Sequence, residues 1–162
     1  MLKYSFEPII PSKPVMLILG SLPGDRSLEA SQYYAHPQNR FWKILFQYFQ
    51  VPFTKDYDSR ITLLHQYGIA LWDVCAHAYR QGSMDTNINE VHPNPITDFL
   101  MKYPSITRVI FNGQKSEKLY KKYFQYLPDI SYYSLPSTSP ANAQYTLEKL
   151  QDFWCKALTI NS

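Results

Sequence analysis

A short apolar run, Val15-Met16-Leu17-Ile18-Leu19, follows Pro14 and ends abruptly at Gly20-Ser21-Leu22-Pro23-Gly24. The run reads as a buried strand, and the glycine and proline permit a tight turn after it. A polar, aromatic loop comes next, Tyr33-Tyr34-Ala35-His36-Pro37-Gln38-Asn39, and an amphipathic helix enters at Arg40-Phe41-Trp42. A strand end, a bare-backbone turn and a polar loop before a helix are where α/β folds place their ligand sites.

The rest of the chain continues the alternation. Strands are expected at 15–20, 69–74, 108–111 and 130–135. Helices are expected at 40–49, 59–67, from Asn94-Pro95 to Tyr103, and at 114–124. A final helix is expected from Ala141 to about Leu158, with Ser139 and Pro140 as cap and first-turn residues. Such alternation favours a doubly wound α/β sandwich over a largely parallel sheet. Strand ends then gather the turns at Gly20–Gly24, Asp73–His77 and Leu135–Asn142 along one edge, with Asn112-Gly113 beside them. No repeat or linker interrupts residues 1–162, so a single domain is expected.

Composition removes several function classes. The longest apolar run is too short to span a bilayer, and MLKYSFEPII lacks the apolar centre of a secretion signal, so a cytoplasmic protein is expected. Cys75 and Cys155 form no disulfide framework, and His36, His65, His77 and His92 show no metal-ligand spacing. Neither metal nor cofactor is expected. A net charge of +3 is compatible with nucleic acid but points to it only weakly.

The motifs narrow the chemistry further. The glycine turn lacks both the GK[ST] ending of a P-loop and the GxGxxG fingerprint, and no GxSxG elbow is present. Asn39 carries an acceptor and a donor that do not titrate near neutral pH, so it can orient a water or hold a base edge. Its plain alternative, favoured by spacing alone, is a helix cap. Arg40 has a surface alternative, Phe41 and Trp42 a core one. His36 is held extended by Pro37. Asp73 ends an apolar strand, where a carboxylate can bind a ligand or simply cap a turn. Ser83 and Asp85 form a polar loop that can line the cleft. Leu135-Pro136-Ser137-Thr138-Ser139-Pro140-Ala141-Asn142 offers hydroxyls and amides at a strand-to-helix junction.

Three segments, LILGSLPGDRSL with YYAHPQNRFW, GIALWDV with RQGSMDTNI, and FNGQ with LPSTSPAN, together resemble the uracil-DNA glycosylase superfamily. The nearest likeness is to its hypoxanthine-DNA glycosylase branch. The resemblance implies a three-layer α/β/α sandwich with a central, mainly parallel, four-stranded sheet. It implies a monofunctional, monomeric glycosylase that hydrolyses the N-glycosidic bond of a deaminated base in DNA, hypoxanthine above uracil or xanthine. Such an enzyme must first flip the nucleotide from the stack. Asn39, in the HPxNxFW loop, is the implied catalytic residue. Gly20, Ser21, Pro23 and Gly24 would lie against the nucleotide, with Tyr34, His36 and Phe41 beside it. Asp73, Ser83, Asp85 and Asn112 would select the base. Ser137, Thr138, Ser139 and Asn142 would pinch the DNA backbone. Lys115, Lys118, Lys121 and Lys122 can attract it, although a solvated helix face is their plainer reading. Two positions depart from better-known branches: Leu22 replaces the usual water-holding Asn or Asp, and Leu135 the usual His or Asn. A non-catalytic binder of damaged DNA and an α/β enzyme for free nucleosides or nucleotides remain the rival functions.

Overall fold

The computed structural model describes residues 1–159. Strand β1 (Leu2–Tyr4) belongs to a small antiparallel sheet with β4 (Cys75–Tyr79) and β5 (Asn89–Pro93), ordered β1-β4-β5. The main sheet holds β2 (Met16–Gly20), β3 (Ile69–Asp73), β6 (Arg108–Asn112) and β7 (Ser131–Leu135), all parallel, ordered β3-β2-β6-β7. The helices are α1 (Asp25–Ala30), α2 (Phe41–Tyr48), α3 (Tyr57–Tyr67), α4 (Ile96–Lys102), α5 (Gln114–Tyr123) and α6 (Leu147–Leu158).

Three layers follow from the alternation of side chains along the strands. Met16 and Ile18 of β2 join Leu71 and Ile110 in a core with Trp42, Leu64 and Trp154 from α2, α3 and α6. Leu17 and Leu19 point the other way, to Phe99, Leu100 and Leu119 of α4 and α5. A parallel sheet must be covered on both faces, and here each face has its own core. Both tryptophan indoles of the first core also reach cleft loops. Trp42 Nε1 donates to Tyr33 O at 2.9 Å, and Trp154 Nε1 to Pro136 O at 3.1 Å.

From β2 the chain passes to β3 on one side, then to β6 on the other. The reversal lies between the ends of β2 and β6, at Gly20 and Asn112, and that is where such sheets open a crevice.

Several elements differ from the sequence expectation. The first of these is the small sheet. β5 is mostly exposed and ends in Pro93, and β1 has three residues, so neither carries an apolar signature. Asn94 holds the bend: it is buried, and Nδ2 donates to Asp73 O and Cys75 O at 2.8 and 3.2 Å. Pro95 sits at the N-cap of α4, one position before the first turn. The second is α1, which occupies a stretch between the glycine turn and the Tyr33–Asn39 loop to which no element was assigned. The third is the last helix. It starts at Leu147, capped by Thr146 Oγ1 accepting from Lys149 N–H at 3.2 Å, so Ser139 and Pro140 do not start a helix. Residues before it stay open because Arg40 takes the carbonyls of Ser139, Asn142 and Tyr145, which a helix would use internally.

Candidate active site

A cleft of about 930 Å³ opens at the reversal point. Its inner wall begins at Gly20. A Cβ there would stand 2.4 Å from Asp73 Oδ1 and 3.1 Å from the Tyr34 hydroxyl, so only glycine lets the two approach. Ser21 Oγ donates to Asp85 Oδ1 at 2.7 Å. The carbonyls of Leu22 and Pro23 accept from the Arg80 guanidinium, whose Nε also reaches Gly82 O at 3.0 Å. Arg80 is 1% exposed and so locks the glycine turn to the loop after β4. Burial pulls its pKa down, while Asp85, Asp25 and Asp73 oppose that.

Asp73 and Tyr34 stand apart from their surroundings. Asp73 is 4% exposed, and its Oδ2 has no hydrogen-bond partner. Burial first, then the Asp85 charge, push its carboxyl up to about 7, with Arg80 acting in the opposite sense. The Tyr34 hydroxyl is also buried and unpartnered, and burial followed by the Asp73 charge pushes its pKa up. Tyr34 has φ +54°, a left-handed conformation that non-glycine residues adopt under constraint. Its ring lies 4.1 Å from that of Phe41. Phe41 is fully buried against Trp42 and Trp154, so it does not line the cleft as a stacking surface; it backs Tyr34.

The outer wall is the Leu135–Asn142 loop. Asn112 and Thr138 exchange two hydrogen bonds, each 3.0 Å, one from Nδ2 to Thr138 Oγ1 and one from Thr138 N–H to Oδ1. Thr138 is 0% exposed, and its hydroxyl is turned inward to Asn112. Ser137 Oγ accepts from Ser139 N–H, Ser139 Oγ from Ala141 N–H, and Asn142 Nδ2 donates to Ser137 O. Gly113, at φ +100°, is required because a Cβ would meet Ser137 Cβ at 3.1 Å.

Asn39 sits between the walls. Its Oδ1 accepts from Phe41 N–H at 2.9 Å, which fixes the carboxamide and fills one of the two lone pairs of the oxygen. The cap alternative is thus half right: the formal N-cap is Arg40, yet the Asn39 side chain satisfies an orphan donor of α2. His36 Nδ1 accepts from Gln38 N–H at 3.1 Å.

Of the expected site residues, all but Phe41 border this one cleft. Lys115 and Lys118 border it too. Lys121 instead pairs with Glu117 at 3.5 Å, and Lys122 lies over the Tyr123 ring. Leu22 and Leu135 are buried and apolar, and they offer no polar group to the cleft. Sequence reasoning gave no role to Arg80 and a surface role to Arg40. Nothing in a sequence marks an arginine whose partners are all carbonyls.

The family model described as Uracil DNA glycosylase superfamily matches residues 8–158, and the chain belongs to that superfamily. It is 38% identical over 117 residues to a Hypoxanthine DNA glycosylase of Methanosarcina barkeri, covering 72% of this chain and 74% of that one. It is 31% identical over 149 residues to a Hypoxanthine DNA glycosylase of Methanosarcina acetivorans, covering 90% and 92%. A Methanosarcina acetivorans protein solved by solution NMR, named as a candidate Uracil DNA glycosylase, superposes with a TM-score of 0.80. It is 28% identical and covers 98% of this chain and 97% of its own.

Proposed function

We propose that this protein is a monofunctional DNA glycosylase that hydrolyses the N-glycosidic bond of a deaminated base, hypoxanthine foremost, and that it acts as a monomer. The observation that carries the reading is Asn39. Its carboxamide is held at the cleft by Phe41 N–H, while Leu22 on the turn and Leu135 at the start of the outer loop are apolar and supply no group that could hold a water. The names of both Methanosarcina relatives support hypoxanthine as the base.

In the proposed step the bond from C1′ to the base nitrogen breaks and its electron pair leaves with the base. The second lone pair of Asn39 Oδ1 holds a water at C1′. The water oxygen bonds to C1′ and one of its protons is lost to solvent, while the departing base takes up a proton from solvent, giving neutral free base and an abasic site. Positioning of this kind, with fixed dipoles around the developing charge, supplies most of the rate. The reading draws on no metal: among the described residues no group of three or more His, Cys, Asp or Glu gathers to hold one. No helix among them is long and apolar enough to cross a membrane.

The test is base release from an oligonucleotide containing deoxyinosine, beside uracil and xanthine substrates. Wild type releases hypoxanthine, and Asn39→Ala loses about 100-fold in rate with its fold intact by circular dichroism. Binding without release would make the protein a damaged-DNA-binding module. Turnover of free inosine with no affinity for duplex would make it a nucleoside enzyme.

A further inference from the structure

We propose that Arg40 is a positioning residue for the hydrolysis: it fastens the backbone next to Asn39 to the outer loop, so that the water-holding carboxamide and the wall beside it keep one fixed geometry. The proposal rests on the glycosylase reading and deepens it, since it assigns what holds Asn39 in register with the rest of the cleft.

Asn39 has only short-range support of its own. Its N–H donates to His36 O at 2.9 Å, and its Oδ1 accepts from Phe41 N–H at 2.9 Å. Both bonds join near neighbours along the chain, and neither ties Asn39 to another wall. Placement matters here, because a shift of about 1 Å in a reacting group can cost about 100-fold in rate.

The next residue supplies the missing tie. Arg40 N–H donates to Thr138 O at 3.1 Å, and the guanidinium donates to Ser139 O at 2.8 Å, to Asn142 O at 3.2 Å and to Tyr145 O. Thr138 N–H in turn donates to Asn112 Oδ1 at 3.0 Å. A continuous line of hydrogen bonds therefore runs from Asn112, at the end of β6, through Thr138 to the peptide that follows Asn39. Arg40 does not border the cleft, so it acts through its neighbours and not on a substrate. The planar guanidinium carries five N–H donors in a fixed fork, whereas a lysine offers one compact ammonium, so only arginine spans carbonyls this widely separated along the chain.

The experiment measures base release from a deoxyinosine duplex under single turnover at saturating enzyme, and duplex affinity separately. Arg40→Met is expected to slow release about tenfold while affinity stays within about twofold. Arg40→Lys is expected to regain only part of that rate. The decisive comparison is a double-mutant cycle: if Arg40 works through Asn39, adding Arg40→Met to Asn39→Ala costs less than about twofold more. Circular dichroism at the assay temperature checks the fold, and Arg40→Lys carries the same cycle if Arg40→Met does not fold. An unchanged rate in Arg40→Met, a loss confined to affinity, or losses that multiply to about 1000-fold in the double variant overturns the positioning role and leaves the glycosylase reading standing. A wild type that releases no base overturns the glycosylase reading, and the positioning role with it.

Discussion

The two walls of the cleft are built on opposite terms, although an arginine organises each. On the outer wall, Arg40 gathers the carbonyls of Thr138, Ser139, Asn142 and Tyr145, and the serines, Thr138 and Asn142 bond within the loop or to Asn112. On the inner wall, Arg80 gathers Leu22, Pro23 and Gly82, yet Asp73 Oδ2 and the Tyr34 hydroxyl remain buried without partners. Buried polar atoms are ordinarily satisfied, so the imbalance separates the inner wall from the outer one.

The largest expected effect separates the two arginines. Arg80 is nearly inaccessible, so Arg80→Met leaves the carbonyls of Leu22 and Pro23 and the Asp73–Asp85 charges without compensation, and water cannot replace it. A loss of about 3–5 kcal/mol is expected from denaturant midpoints. Arg40 is only partly buried, and water can reach the carbonyls it leaves. Arg40→Met is expected to lose about 1–2 kcal/mol. Equal losses, or the reverse order, would erase the distinction between a dry inner wall and a wet outer one.

Asp73 sharpens the same contrast through pH. Its carboxyl has an ordinary pKa of 3.8 and is held up to about 7 in the fold. Between those values the native state keeps a proton that the unfolded chain has released. Its contribution to stability is therefore complete below the lower value, falls as pH rises through the window, and is gone above the upper one. Asp73→Asn removes this loss, so at pH 8 the variant should exceed wild type by about 2 kcal/mol, with little difference at pH 4. Thermal melts of the two proteins across the window check it. Parallel curves would mean that Asp73 is ionised and satisfied in the native protein, and the inner wall would no longer be the unbalanced one.

Much of this was legible in the sequence because it is periodic. β2 and β3 carry unbroken apolar runs, the helix at Phe41–Tyr48 repeats apolar residues at helical spacing, and the turns after the strands had to meet at one edge. Every expected site residue but Phe41 came to that edge for this reason. Phe41 went astray because helical spacing cannot tell a ring that faces a cleft from one that backs it. The small sheet was illegible because β5 hardly enters a core. The start of α6 was misplaced because Ser139-Pro140 is good cap chemistry, and only a contact from Arg40, far along the chain, prevents the helix. Local signals fail where distant side chains take backbone groups that local structure would have used.

The smallest expected effect concerns Thr138, where sequence and structure assign opposite directions to one hydroxyl. Its Oγ1 accepts from Asn112 Nδ2, while Thr138 N–H holds Asn112 Oδ1. Thr138→Val keeps the shape and the backbone bond but removes the acceptor, leaving one buried amide hydrogen unpaired. A loss of about 1 kcal/mol is expected, and Thr138→Ser, which retains the oxygen, should lose less than about half of that. Because the hydroxyl faces inward, affinity for undamaged duplex should change by less than about twofold in Thr138→Val. Weakened duplex binding with stability unchanged would return Thr138 to the DNA-facing side. The outer wall would then be a contact surface in its own right, not the support that holds Asn112 in place.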